Sequence, residues 1–171
     1  VNQVKILLNK NNINPTADFN HALWNALKGF AHLPKDPKIE NDHIKIVELL
    51  LNWKGPEWPI KGNWVDPRSE YHNIEHPTIN HLVGHCPLKI VELFLNWKGP
   101  NKEWFDPRKH DNQVLVDAIN SKDKKVVELL LNWTSPNGEK IVPGSSFRDI
   151  YYAQPTEEIL AMLIMWYIDH N

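Results

Sequence analysis

Five side chains able to ligate a transition metal fall within one short stretch: His72, His76, His81, His85 and Cys86. On a helix, His81 and His85 would stand one turn apart, a spacing that can chelate. Against a site, Pro77 divides the cluster, one thiolate is on offer, and no carboxylate is placed to orient the imidazoles. Metal binding is therefore the lowest-ranked reading, and no metal or other cofactor is expected. Cys86 beside His85 has the types of a thiol nucleophile and its base, but such partners meet through a fold rather than along a chain. The chain has no Gly-x-Ser-x-Gly, phosphate loop or dinucleotide fingerprint, and Gly144-Ser145-Ser146 reads as a helix start. A non-enzyme is expected.

The second constellation suits contact rather than catalysis. Trp58, Trp64 and Trp104 lie in connections where no helical core demands a large aromatic, and tryptophan is enriched at binding hot spots. Arg68 and Arg108 follow at matching places, with Tyr71 and His110 close by. These seven residues are the predicted partner-binding set. Trp64 next to Val65, and Trp104 next to Phe105, could equally fold back as a small core of their own. Trp58, flanked by Glu57 and Pro59, is expected to be exposed.

What positions them is a repeated segment. Lys125-Val126-Val127-Glu128-Leu129-Leu130-Leu131-Asn132-Trp133 has near-copies at 45–53 and 89–97 and a weaker one at 4–9. No Gly or Pro interrupts it, and its residues favour a helix. Apolar side chains occupy most of its circumference, leaving Lys125, Glu128 and Asn132 for water. A helix of that kind is covered by several neighbours. The pattern predicts an all-α solenoid in which each unit buries its apolar surface on the next. The single repeat domain, 1–171, divides into a partial unit at 1–10, full units at 11–53, 54–97 and 98–133, and a capping unit at 134–171.

The totals narrow the function classes. With 171 residues, 42% of them hydrophobic, the chain can hold a sizeable core. A formal charge of −2 offers no footprint for nucleic acid. No apolar run reaches the ~20 residues of a membrane span. One cysteine rules out an internal disulfide framework and favours an intracellular setting, expected to be cytoplasmic. A protein partner is what remains.

Along the chain, Asn20 is expected to cap a first helix ending near Leu27, and 28–42 to form an inserted loop. Asp42 is then the cap of the first full copy. After Trp53 and Trp97 come Lys-Gly-Pro turns, short aromatic arms and Asp-Pro-Arg returns; Ser135 to Pro143 follows the same plan. A hairpin-like finger is predicted at each junction. First helices are expected near 77–84, 112–120 and 146–153, the second with Leu115, Ala118 and Ile119 inward. A closing helix over 156–168 is capped by Thr156.

Finger, helix, turn and a Val-Val-Glu-Leu-Leu-Leu helix together resemble the ankyrin repeat, and the likeness covers nearly the whole chain. Ala118-Ile119 through Leu131 stands where that family has Ala-Ala-x-x-Gly-His-x-x-Val-Val-x-Leu-Leu-Leu. Lys122-Asp123 replaces Gly-His, and Gln113-Val114-Leu115-Val116 replaces Thr-Pro-Leu-His, which removes a network that commonly ties the family's units together. Asp-Pro returns and Leu-Leu-Asn-Trp endings are similar to those of ankyrin arrays encoded by large DNA viruses of amoebae, for which the host-cell cytoplasm would be the setting. The resemblance implies a protein-binding module that uses finger tips and first-helix faces.

The closing helix carries more apolar residues than one neighbour can cover. Self-association through it, at Leu163, Trp166 and Tyr167, is the alternative expectation, with Leu163 pointing outward; a homo-oligomer would result.

Overall fold

In a computed structural model, residues 1–10, 13–34, 36–55, 64–68, 83–143, 150 and 152–170 are described. Among the described residues the chain is helical, with antiparallel bridges but no strand. The helices are α1 (Asn2–Leu8), α2 (Ala17–Gly29), α3 (Pro37–Leu51), α4 (Leu88–Leu95), α5 (Lys109–Asn120), α6 (Lys124–Asn132) and α7 (Glu157–His170). They belong to two compact units, Val1–Phe105 and Asp106–Asn171, divided within the 98–133 segment.

In the first unit α2 packs on α3 and α3 on α4. Leu23 and Leu27 of α2, Val47 and Leu50 of α3, and Ile90 and Phe94 of α4 are all buried. Phe94 meets Phe105 edge to face, ring centroids 5.4 Å apart. Two predicted caps prove misplaced. Asn20 lies inside α2, which starts after Thr16, and Asp42 lies inside α3. The cap of α3 is Asp36, whose carboxylate accepts from the Lys38 N–H at 2.8 Å. Pro37 fills the first helical position, where a missing N–H costs nothing. Much of the expected inserted loop is therefore an N-terminal extension of α3.

In the second unit α5 packs on α6 and α6 on α7. Val126, Val127, Leu130 and Leu131 are buried while Lys125, Glu128 and Asn132 face water, as their pattern predicts. Leu115, Ala118 and Ile119 point inward from α5. Asp123 caps α6 by accepting from the Lys125 and Val126 N–H groups. Lys122, between α5 and α6, adopts the left-handed backbone, φ 59°. Thr156 caps α7 through the Ile159 N–H, at 3.3 Å.

One hydrogen bond recurs in both units. The Trp53 indole N–H donates to the Leu8 carbonyl at 3.3 Å, and the Trp166 indole to the Leu131 carbonyl at the same distance. Leu8 and Leu131 each precede the asparagine of their own copy, so the two bonds are equivalent. Trp166 lies 33 residues after Trp133, and α7 is a further copy of the organising helix, unrecognised in the sequence. Ile159 and Leu163 occupy the buried places of Val126 and Leu130.

A second tie joins first helices to the return of the following finger. Asn20 donates through Nδ2 to the Asp66 carbonyl at 2.8 Å, and Asn112 to the Val142 carbonyl at 3.2 Å. Both asparagines are buried and left-handed, φ 64° and 60°. Asparagine tolerates that region better than most residues, and His110, Asp111 and Asn112 hold it in succession. Asn112→Ala should lose both the tie and the conformational fit, costing about 1–3 kcal/mol. Asn112→Gly, which keeps the fit, should cost less. Chemical denaturation of the two variants checks the order, and equal losses would remove the strain argument.

Candidate functional site

Each finger is closed at its base by one antiparallel bridge: Lys54 with Trp64, Lys98 with Trp104, and Thr134 with Lys140. In every case the first partner directly follows the tryptophan that ends an organising copy. Within the second finger the Gly99 N–H donates to the Glu103 carbonyl at 2.9 Å, and in the third the Ser135 N–H donates to the Glu139 carbonyl at 2.7 Å. A Cβ on Gly99 would meet Glu103 Oε2 at 2.5 Å, so a larger residue there would displace the Glu103 side chain. Ser135 fills the equivalent place and accepts from the Asn137 and Glu139 N–H groups with its hydroxyl.

The two predicted arginines are turned inward by this frame. Arg68 forms a fork with its own Asp66, Nε to Oδ1 at 2.9 Å and Nη2 to Oδ2 at 2.7 Å. Its guanidinium lies 5.5 Å from the centre of the Trp97 ring and 3.9 Å from Glu103. Arg108 repeats every element, with Asp106 at 2.9 Å on both atoms, Trp133 at 5.9 Å and Glu139 at 2.8 Å. Glutamate follows tryptophan by six residues in both cases. Each Asp-Pro-Arg return is thus stapled to the tryptophan and glutamate of the next copy.

The charges respond accordingly. Hydrogen bonding to Asp66 and Asp106 raises both arginines above their ordinary value. Burial alone would raise the Asp106 carboxyl, but the hydrogen bonds and charge of Arg108 outweigh it and hold it below the usual carboxylate range. Glu103 is lowered likewise, burial being overcome by hydrogen bonds from Asn101 and itself and by the charge of Arg68.

Of the predicted contact residues, Trp64 is withdrawn: it is 7% exposed, beside the fully buried Val65. Arg68 and Arg108 already use much of their donor set inside the chain. Trp104 is half-buried, and His110 is exposed at the start of α5. Trp58 and Tyr71 lie outside the described residues, as do His72, His76 and His81. No group of three potential metal ligands occurs among the described residues. His85 is exposed and Cys86 buried, so the neighbours diverge; burial pushes the thiol up to about 12, far from a thiolate at neutral pH.

On α7, Leu163 is 7% exposed and lies in the core, contrary to its expected outward position. Trp166 is half-buried and stacks on His170, ring centroids 4.2 Å apart. His170 Nδ1 donates to the Trp166 carbonyl, leaving Nε2 to accept from Lys140 at 2.9 Å. Tyr167 is exposed as expected. The outward residues the sequence missed are Leu160, Ile164, Met165 and Ile168.

Sequence reasoning also passed over Trp24, half-buried on the water-facing side of α2. His21 meets it edge to face and Lys28 sits 4.9 Å above its ring. The signal was there in the spacing: His21, Trp24 and Lys28 share one helix face, beside the buried Leu23 and Leu27.

Comparison with protein-family models, with curated proteins and with solved structures gave no match.

The depressed Asp106 carboxyl sets a pH window. A lowered acid contributes stability above its unfolded pKa of about 3.9 and loses it as pH falls through the lower folded value. At pH 7 Asp106→Asn should therefore melt below the wild type, by roughly 1 kcal/mol given the screening of a part-exposed pair. The gap should close below about pH 4. Melting curves across that range test it; a gap unchanged at pH 2.5 would remove Asp106 as the source.

Proposed function

We propose that this chain is a non-catalytic protein-binding module whose copies stack as an ankyrin-type solenoid. The observation that carries the reading is the contrast between finger bases and finger tips. The bases are held alike, by a bridge starting one residue after each tryptophan, yet the loops they close all differ in composition, and the first is longer than the other two. A constant frame with variable loops is the arrangement of recognition scaffolds. The equivalent Trp53 and Trp166 bonds, and the equivalent Asn20 and Asn112 ties, support the stacking.

The partner is a protein presenting a surface that an amphipathic aromatic can enter. Trp104 on the second finger and Trp24 on α2 are the anchors, with His21 and Lys28 beside Trp24 and His110 six residues after Trp104. Each tryptophan keeps part of its ring toward water while a neighbour holds it in place, which limits the ordering cost of binding. No helix among the described residues is long and apolar enough to cross a membrane. The reading places the module in an intracellular setting.

Wild type and the double variant Trp24→Ala/Trp104→Ala, immobilised side by side, should differ in the proteins they capture from lysate. A partner held through these anchors should bind the variant at least ~30-fold more weakly, the effect of losing ~2 kcal/mol at a hot spot. Matched melting temperatures are required. Equal capture by both would place the contact elsewhere.

A further inference from the structure

The two anchor tryptophans differ in setting but share a kind of neighbour, and both belong to the Val1–Phe105 unit. On α2 the Lys28 ammonium stands 4.9 Å from the centre of the Trp24 ring, and the His21 imidazole meets that ring edge to face at 6.1 Å. Lys28 is exposed, as is His32 one turn further on.

Around Trp104 the neighbours are set by the finger itself. Its bridge partner is Lys98, and directly opposed residues of an antiparallel pair put their side chains on one face. Lys98 and Lys102 are exposed, and among the described residues no hydrogen bond or ion pair holds either ammonium. The one carboxylate of this finger is turned away from them. Glu103 accepts from the Asn101 N–H at 2.7 Å and from Asn101 Nδ2 at 3.0 Å, with Arg68 at 3.9 Å, and its side chain is only 19% exposed. The turn therefore folds its anion toward Arg68 and leaves two cations beside a half-exposed indole.

From this shared surround we infer that the partner of the module is an acidic protein segment, in which carboxylates flank the apolar side chain that meets each indole. The inference rests on the reading of Trp24 and Trp104 as anchors and adds the chemistry of what they hold. An ammonium already lying over an indole disfavours a second cation there, and its N–H groups remain for a carboxylate. Exposed lysines act chiefly by drawing the partner in and orienting it, so their effect is screened by salt. Nucleic acid fits less well. Three lysines at two anchors make too small a footprint for a phosphate backbone, and the chain as a whole carries a formal charge of −2.

Fluorescence anisotropy on the full chain tests the inference. The probe is a labelled peptide in which Asp and Glu alternate with Leu; its control carries Asn and Gln in place of the carboxylates. Wild type should bind the acidic peptide at least ~10-fold more tightly than the control, the effect of a few exposed charge pairs. That affinity should fall as salt rises from about 0.1 to about 1 M, where the Debye length shrinks from ~10 to ~3 Å. Lys28→Glu/Lys98→Glu/Lys102→Glu should lose both the preference and the salt dependence while melting like the wild type, since all three side chains are exposed. Should it melt low, Gln takes the place of Glu at the three positions. Trp24→Ala/Trp104→Ala, with every lysine in place, should also weaken the acidic peptide. Equal binding of the two peptides by wild type overturns the inference, and so does a triple variant that binds like the wild type. A tryptophan variant that holds the acidic peptide unchanged would show general charge attraction and overturns it too. Tighter binding of oligothymidylate than of the acidic peptide would assign the lysines to nucleic acid instead. Proteins captured from lysate alike by wild type and the triple variant, yet lost from the tryptophan variant, would sink the acidic partner and leave the anchors standing.

Discussion

An indole N–H set on the main-chain carbonyl of the preceding copy is the constraint on which the spacing of this chain depends. It gives Trp53 and Trp166, the tryptophans of the copies on α3 and α7, a structural duty. The leucine carbonyl is among the last of a helix, with no N–H of its own helix to receive. Tryptophan from the next copy supplies the donor from the side, at Leu8 and at Leu131. The asparagine between them serves another end group: Asn52 and Asn96 each donate to a glutamate carbonyl four residues back, at 2.8 Å. Apolar burial contributes more, at about 1.5–3 kcal/mol for each buried Leu, Val or Phe side chain. Burial is non-directional, however, and a helix that is apolar over most of its circumference could rotate or slide. The indole and amide bonds fix its register.

The tryptophans that end the other two copies, Trp97 and Trp133, form the floor for the arginine staples, which links the helix ends to the fingers. Arg68 lies over Trp97 and Arg108 over Trp133, each held by its own aspartate and by the glutamate that shapes the next finger. None of these ties is deeply buried, so each contributes modestly and responds to salt and acid. The buried asparagine ties at Asn20 and Asn112 are less screened and should matter more for register between first helices and returns. In the last finger Val142-Pro143 replaces Asp-Pro, and the arginine staple is absent from that return.

What could be read from the sequence follows from which forces are periodic. The three strong copies, the bridged fingers and the inward face of α5 all show in apolar spacing or turn residues, and each was found where expected. Caps were harder, since Asp36 and Asp42 are equally good residues and only Pro37 at the first helical position decides between them. Asn20 looked like a cap because asparagine favours caps, yet it serves as a buried donor from a left-handed position within α2. Leu163 was assigned outward because α7 is apolar on two sides and periodicity could not say which side meets α6. Counting 33 residues from Trp133 to Trp166 would have settled it, but Glu158 and Ala161 replace the lysine and glutamate that make the other copies recognisable.

For the candidate site, residue type misled where the side chain had a structural duty. Tryptophan and arginine are the residues most enriched at binding hot spots, and here they are also the ones that hold copies together. Trp53 and Trp166 donate to carbonyls, Trp97 and Trp133 carry arginines, and Trp64 closes a finger from inside the core. Trp24 and Trp104 differ from Trp64 in being half-exposed, and from the other four in not ending an organising copy. Their distinction is positional and not compositional. Trp24 lies beside the buried Leu23 and Leu27 of α2, so its backbone is held while part of its ring stays available. A contact surface in this chain is what the stapling leaves over, and that remainder becomes visible only when every staple has been traced to its partners.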